Sequence, residues 1–172
     1  AGLGTLGRNA ARGEAVAAAI TRDTGAPVHF VKADLGSVPD CRRVIAEAEQ
    51  RFGRVDVLVN AGALTDRGTI LDTSPELFDA LFAVNVRGPY FLMQEAIRLM
   101  IRDGIEGAIV SIGSISAHAG QPFINAYCAS KGALTTLTTI EAEYTHGETT
   151  LRTPSQPSRR PVAAKLPQAA PR

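Results

Sequence analysis

Only two cysteines and three histidines occur in these 172 residues, and neither type clusters. Cys41 and Cys128 lie far apart without metal-ligand spacing, so they read as reduced thiols of a cytoplasmic protein. The scattered histidines give a metal site no support. No apolar run approaches the ~20 residues that a membrane-spanning helix needs. No basic and then apolar leader opens the sequence, so nothing in it argues for a membrane or for secretion. Acidic residues are missing from 149 to 172, where Arg152, Arg159, Arg160, Lys165 and Arg172 stand alone. Setting those five aside leaves 13 basic against 17 acidic residues, so a chain of net charge +1 has a body near −4. That is the surface of an ordinary enzyme, not of a nucleic-acid binder.

The length suits one domain with a sizeable core. The acid-free segment also holds Pro154, Pro157, Pro161, Pro167 and Pro171. It reads as a disordered tail from 149 to 172, set apart from a folded body over 1 to 148. Its Pro-x-x-Pro spacing is of the kind that docks on aromatic grooves, but it also arises by chance in Pro-rich sequence.

The body alternates two periods. "RNAARGEAVAAAI" is Ala-rich and helical, and "APVHFVKADL" is a strand ending near Asp34. "SVPDCRRVIAEAEQRFG" has Val44, Ile45, Ala48 and Phe52 at helical spacing, with Gly53 as its stop. "RVDVLVNAG" is a near-continuous apolar strand of the type buried on both faces. Residues 74–104 are helical on both sides of Gly88-Pro89, a pair expected to kink or interrupt the helix. "EGAIVSIGSIS" is a further strand, and "YCASKGALTTLT" opens another helix. This rhythm predicts a parallel sheet covered by helices. Ligands in such sheets bind where strands end and helices begin. Asp34, residues 60–62 and residues 111–116 all fall at such strand ends.

Tyr127 and Lys131 are four apart, so on a helix they share a face. A free tyrosine is a poor base at neutral pH, and an ammonium beside it favours the phenolate. The pair then suits proton exchange with a hydroxyl or carbonyl. The bland alternative is a solvated lysine beside a packing tyrosine, and for the pair alone that alternative would stand.

The pair does not stand alone. Over about residues 8 to 138 the chain resembles the short-chain dehydrogenase/reductase family, with its motifs in the family's order. Arg8-Asn9 resembles the end of the second strand, and Asp34-Leu35 the adenine-contacting turn after the third. "VLVNAG" is similar to the family's Leu-Val-Asn-Asn-Ala-Gly stretch with one asparagine missing, so Asn60 stands for either one, followed by Ala61 and Gly62. "NVRGPYF" resembles the helix that carries the structural and catalytic asparagine, here Asn85. "IVSIGS" and "YCASK" are similar to the serine and Tyr-x-x-x-Lys segment, with Ser114 thirteen residues before Tyr127.

The resemblance implies a role for each residue. Tyr127 is the general acid or base, and Lys131 holds the nicotinamide ribose and favours the phenolate. Ser114 fixes the substrate carbonyl, with Ser116 as the alternative serine; Ser111 and Gly113 are strand-end and loop residues. Asn85 interrupts its helix and anchors a water linking Lys131 to solvent. The cofactor is NADP or NAD, contacted by Arg8, Asn9, Asp34, Leu35, Asn60, Ala61, Gly62, Tyr127 and Lys131. NAD enzymes place an acid at the end of the second strand, whereas Arg8 suits the 2′-phosphate of NADP. The substrate class is a small alcohol or ketone, and the complete enzyme is a homo-oligomer joined through the helices matched by 74–102 and 127 onward.

Two departures lie at the ends. "GLGTLG", Gly2 to Gly7, satisfies G-x-G-x-x-G, but no strand precedes it, so a flexible leader is expected rather than a phosphate loop. The register from Arg8 also puts it where the family's second strand lies. After "GALTTLTT", "IEAEYTH" extends the helix at most, and no apolar strand follows. The expected fold is therefore a three-layer, Rossmann-like, doubly wound parallel sheet, truncated of its first strand, phosphate loop and C-terminal strands. Such a chain is expected to be a weak or inactive enzyme. Two other readings are an extended-family sugar epimerase or dehydratase, and a silent fragment that acts by pairing with a full-length partner. "SIGSIS" before "YCASKGAL" favours the non-extended branch.

Overall fold

The computed structural model describes residues 2–141, with side chains through Thr139; the expected tail at 149–172 lies outside them. Four short parallel strands alternate with helices: β1 (Leu3–Gly7), α1 (Ala10–Thr24), β2 (Val28–Lys32), α2 (Val38–Phe52) and β3 (Val57–Asn60). A long helical stretch follows, α3 (Pro75–Phe82), a π-turn (Ala83–Arg87) and α4 (Gly88–Asp103). Then come β4 (Ala108–Ser111), the single turn α5 (Ser116–Ala119) and α6 (Asn125–Glu141). This is an α/β fold of the expected class. None of the described helices is long and apolar enough to cross a membrane.

The ladder is split. β1 pairs with β2 from Leu3↔Val28 to Gly7↔Lys32, and β3 pairs with β4 from Val57↔Ala108 to Asn60↔Ser111. Among the described residues the two pairs share no ladder. They nevertheless rest on one core of Cys41, Ile45, Leu92, Met93, Ala96, Ile97 and Met100 from α2 and α4. Leu58 of β3 belongs to that cluster and Leu6 of β1 packs against it. Burial pushes the Cys41 thiol up to about 11.

Two expectations need correction. Gly2–Gly7 is not a flexible leader: Leu3–Gly7 forms a strand, because its backbone groups find a ladder partner in β2. As a strand it is no phosphate loop either. The 57–60 strand is not covered on both faces. Leu58 and Asn60 are buried, whereas Val57 and Val59 are 58% and 56% exposed, because the α2–α4 core meets one side only. The interruption expected at Gly88-Pro89 takes the form of a π-turn between α3 and α4. That turn widens the coil where Pro89 can give no N–H and would crowd an α-helical carbonyl.

Local chemistry explains the helix ends. Ser37 caps α2 by accepting from Asp40 N at 3.3 Å, and Gly53 closes it at φ 79°, a left-handed conformation that suits glycine. On α6, the hydroxyls of Thr135, Thr136, Thr138 and Thr139 each donate to the carbonyl four residues back, at 2.8–3.3 Å.

Candidate active site

The strand ends carry most of the candidate residues. Arg8 and Asn9 follow β1, both exposed, and Asn9 Oδ1 is engaged as the N-cap of α1, accepting from Arg12 N at 2.9 Å. Asp34 follows β2 and shapes its own turn: Oδ1 accepts from Gly36 N at 2.9 Å, while Asp34 N donates to Asp40 Oδ2 at 2.8 Å. That bond, with Arg43 beside it, holds the Asp40 carboxyl below its ordinary value of 3.8. Asn60, the last residue of β3, is 5% exposed and donates through Nδ2 to Ser111 Oγ at 3.3 Å. Its Oδ1 is buried without a partner among the described residues. Ala61 and Gly62 are exposed beyond it, and the half-buried Leu35 side chain fills the space where a Cβ on Gly62 would go.

Tyr127 and Lys131 share one face of α6, with Nζ 5.9 Å from the centre of the Tyr127 ring. Lys131 is 3% exposed and donates to the Ile112 carbonyl at 2.7 Å, just past the end of β4. Burial lowers its pKa from the ordinary 10.5. Ser114 and Ser116 lie together, Oγ to Oγ at 2.7 Å, Ser114 half-buried and Ser116 buried. Ser116 opens α5, which packs on α6.

Asn85 is fully buried in the π-turn. Its Oδ1 accepts from Leu64 N at 2.7 Å, and its Nδ2 donates to Leu64 O at 2.7 Å and to Ser130 Oγ at 2.9 Å. Ser130 in turn donates to the Tyr127 carbonyl at 2.8 Å. The expected interruption of the helix at Asn85 is there, as a widened turn. Its carboxamide is committed to protein groups. Its backbone carbonyl can take no α-helical bond, since Pro89 four residues on has no N–H.

Asn85, Tyr127 and Lys131 are thus linked through α6, and Ser114 reaches the same helix through α5. Three participants went unnoticed in the sequence: Ser130, Leu64 and the Ile112 carbonyl. Ser130 was within reach, because it lies three residues after Tyr127 and so points near the same face. The two backbone groups carry no sequence signal.

A model of the family described as short chain dehydrogenase matches residues 2–148. The chain is 35% identical over 122 residues to a sorbitol dehydrogenase of Cereibacter sphaeroides, covering 71% of this chain and 48% of that protein. It is 38% identical over 125 residues to carbonyl reductase [NADPH] 2 of Sus scrofa, covering 70% and 51%. Among solved structures, a metagenomic short-chain oxidoreductase in complex with NADP superposes with a TM-score of 0.77 at 30% identity, over 83% of this chain and 64% of the other. The chain spans about half the length of the curated relatives it matches.

Proposed function

The chain belongs to the short-chain dehydrogenase family, and on that premise we propose that the protein is an NADP- or NAD-dependent oxidoreductase of small alcohols and ketones. The observation that carries this reading is the Tyr127–Lys131 face of α6, with Tyr127 half-buried and Lys131 buried and held on the Ile112 carbonyl just past the end of β4. Dehydrogenases and reductases among the named relatives favour it over an epimerase.

The residues present fit a dinucleotide. Asn60 Oδ1 is an orphan buried acceptor at a strand end, which a ligand donor or a water would satisfy. Arg8 and Asp34 follow the ends of β1 and β2, where the adenosine end would lie. Leu35 packs against Gly62, next to Ala61, and these three with Asn9, whose Oδ1 caps α1, would complete the cofactor's surroundings. Strand β1 supplies no cradle for the pyrophosphate. The nicotinamide ring, when bound, supplies or takes the hydride.

The chain's own residues would do the rest. Tyr127 exchanges a proton with the substrate oxygen, and an ammonium 5.9 Å from its ring stabilises negative charge there. Lys131 trades part of its hold on Ile112 for the ribose hydroxyls. Ser114 orients the substrate carbonyl, with Ser116 fixing the hydroxyl of Ser114 at 2.7 Å. Asn85 holds the π-turn through Leu64 and Ser130, and its backbone carbonyl is the acceptor for a water that leads to Lys131. Association of two copies through α3, α4 and α6 is part of the reading. A groove of about 730 Å³ there is lined by Phe82, Val86, Tyr90 and Leu137 together with the charged Asp79 and Arg87, and Phe78 is exposed nearby. The cytoplasm suits the free thiols of Cys41 and Cys128.

The test is titration of the protein at its natural length with NADPH and NADH, followed by nicotinamide fluorescence and by turnover of a panel of ketones and alcohols. Saturable binding with turnover is expected. No binding of either cofactor at millimolar concentration would overturn the reading.

A further inference from the structure

Leu35 sits where three parts of the molecule meet. A Cβ on Gly88 would overlap its carbonyl oxygen, a Cβ on Gly62 would overlap its side chain, and Cys41 Sγ donates to its carbonyl at 3.6 Å. The next residue is packed more loosely but is tied by a hydrogen bond. A Cβ on Gly36 would lie 3.7 Å from Val84 Cγ2 and 3.9 Å from Ala83 Cβ, and the Gly36 carbonyl accepts from Arg87 Nη2 at 2.9 Å. The turn after β2 therefore bonds to Arg87 of the π-turn, packs closely on Gly88 just after it and lies near Ala83 and Val84. Asn85, the residue enclosed by those contacts, reaches the other way to Leu64 and Ser130.

A π-turn is rare because its wider ring packs less well than an α-turn, and it persists where outside contacts hold it. Slipping back to α-helical register would rotate one side of the helix against the other by about 100°. That rotation would pull the Asn85 carboxamide off Leu64. The contacts from residues 35 and 36 grip both ends of the turn and oppose the slip.

We infer that the 34–36 turn and the π-turn form one mechanical unit, in which Arg87 is a positioning residue that couples occupancy of the adenosine end of the site to the placement of Asn85. The ligand side of this inference rests on the dinucleotide reading above; the mechanical side does not. Arg87 needs no contact with cofactor or substrate to act. Its bond to Gly36 transmits the position of one turn to the other.

Amide hydrogen exchange on the full chain tests both sides. Without ligand, Arg87→Gln is expected to speed exchange of the Leu64 amide at least tenfold, while the β1 and β2 ladder amides keep their rates. Gly88→Ala is expected to do the same more strongly; should it fail to fold, Arg87→Gln alone decides. Unchanged Leu64 exchange, or equal acceleration throughout β1 and β2, would overturn the coupling. Adenosine 2′,5′-bisphosphate is then added as the probe. It is expected to slow the Gly36 and Leu64 amides in the wild type, but only Gly36 in Arg87→Gln. Equal slowing of Leu64 in both proteins would overturn the role of Arg87. No slowing of Gly36 in the wild type would instead count against the dinucleotide reading and against the ligand side of the coupling, with the ligand-free arm still deciding the mechanics.

Discussion

Asn85 and Leu64 form a two-point pair: the Asn85 carboxamide accepts from Leu64 N and donates to Leu64 O, both at 2.7 Å. The pair ties the loop after β3 to the middle of a helix. Asn85→Ala would leave both Leu64 backbone groups without their partner, while the Ser130 hydroxyl keeps its bond to the Tyr127 carbonyl. Each such buried group costs about 1–3 kcal/mol. A loss of at least about 2 kcal/mol is expected in urea unfolding of the chain, and a loss below half of that would show the pair to be slack.

The proton-transfer roles separate by substitution in the protein at its natural length. Tyr127→Phe keeps the ring and is expected to cut turnover by ~10²–10⁴-fold with cofactor binding intact. Lys131→Met is expected to lower both turnover and cofactor affinity. Ser114→Ala is expected to cost turnover with little change in cofactor affinity. A folded Tyr127→Phe protein that binds cofactor and keeps most of its rate would refute the assignment.

Much of that site was legible because its spacing is local. Tyr127 and Lys131 are one helical turn apart, so the sequence alone aligns them. The partners that hold them are tertiary. Lys131 meets a backbone carbonyl 19 residues away in sequence, and Asn85 meets Ser130 across 45. The strand at Leu3–Gly7 is hidden for a related reason: its two glycines look like a loop, and only pairing with β2 makes it a strand. The covering of Val57 and Val59 was overestimated because an apolar run gives no information on which faces meet helices.

In the proposed function, the preference for NADP rests on Arg8. It is exposed beyond the end of β1, where a 2′-phosphate would lie. A charge-assisted bond is worth about 1.5–3 kcal/mol. Arg8→Ala is therefore expected to lower kcat/KM for NADPH relative to NADH by roughly ten- to a hundredfold. Equal or NAD-favouring values before the substitution would count decisively against this role.

The turn after β2 should loosen in acid. The Asp34 backbone N–H, and then Arg43, hold the Asp40 carboxyl below 3.8 in the folded chain. A depressed folded value means that the stabilising contribution is present above 3.8 and lost as the pH falls through the lower, folded value. Asp40→Asn should flatten this part of the acid limb, because the amide can still accept from Asp34 N but does not titrate. Thermal unfolding of both proteins between neutral pH and pH 3 measures it, and parallel curves would exclude Asp40 as the titrating group.

The threonines of α6 have a further consequence. A hydroxyl bonded to the carbonyl one turn back has spent its donor, and the side chain shows its surroundings mostly a methyl group. Hydropathy scales count Thr135, Thr136, Thr138 and Thr139 as polar, yet the helix has already absorbed the cost of dehydrating their donors. To an approaching surface this stretch resembles alanine and valine, so it can be dried with little penalty and gives a neighbouring helix few polar groups by which to fix its rotation.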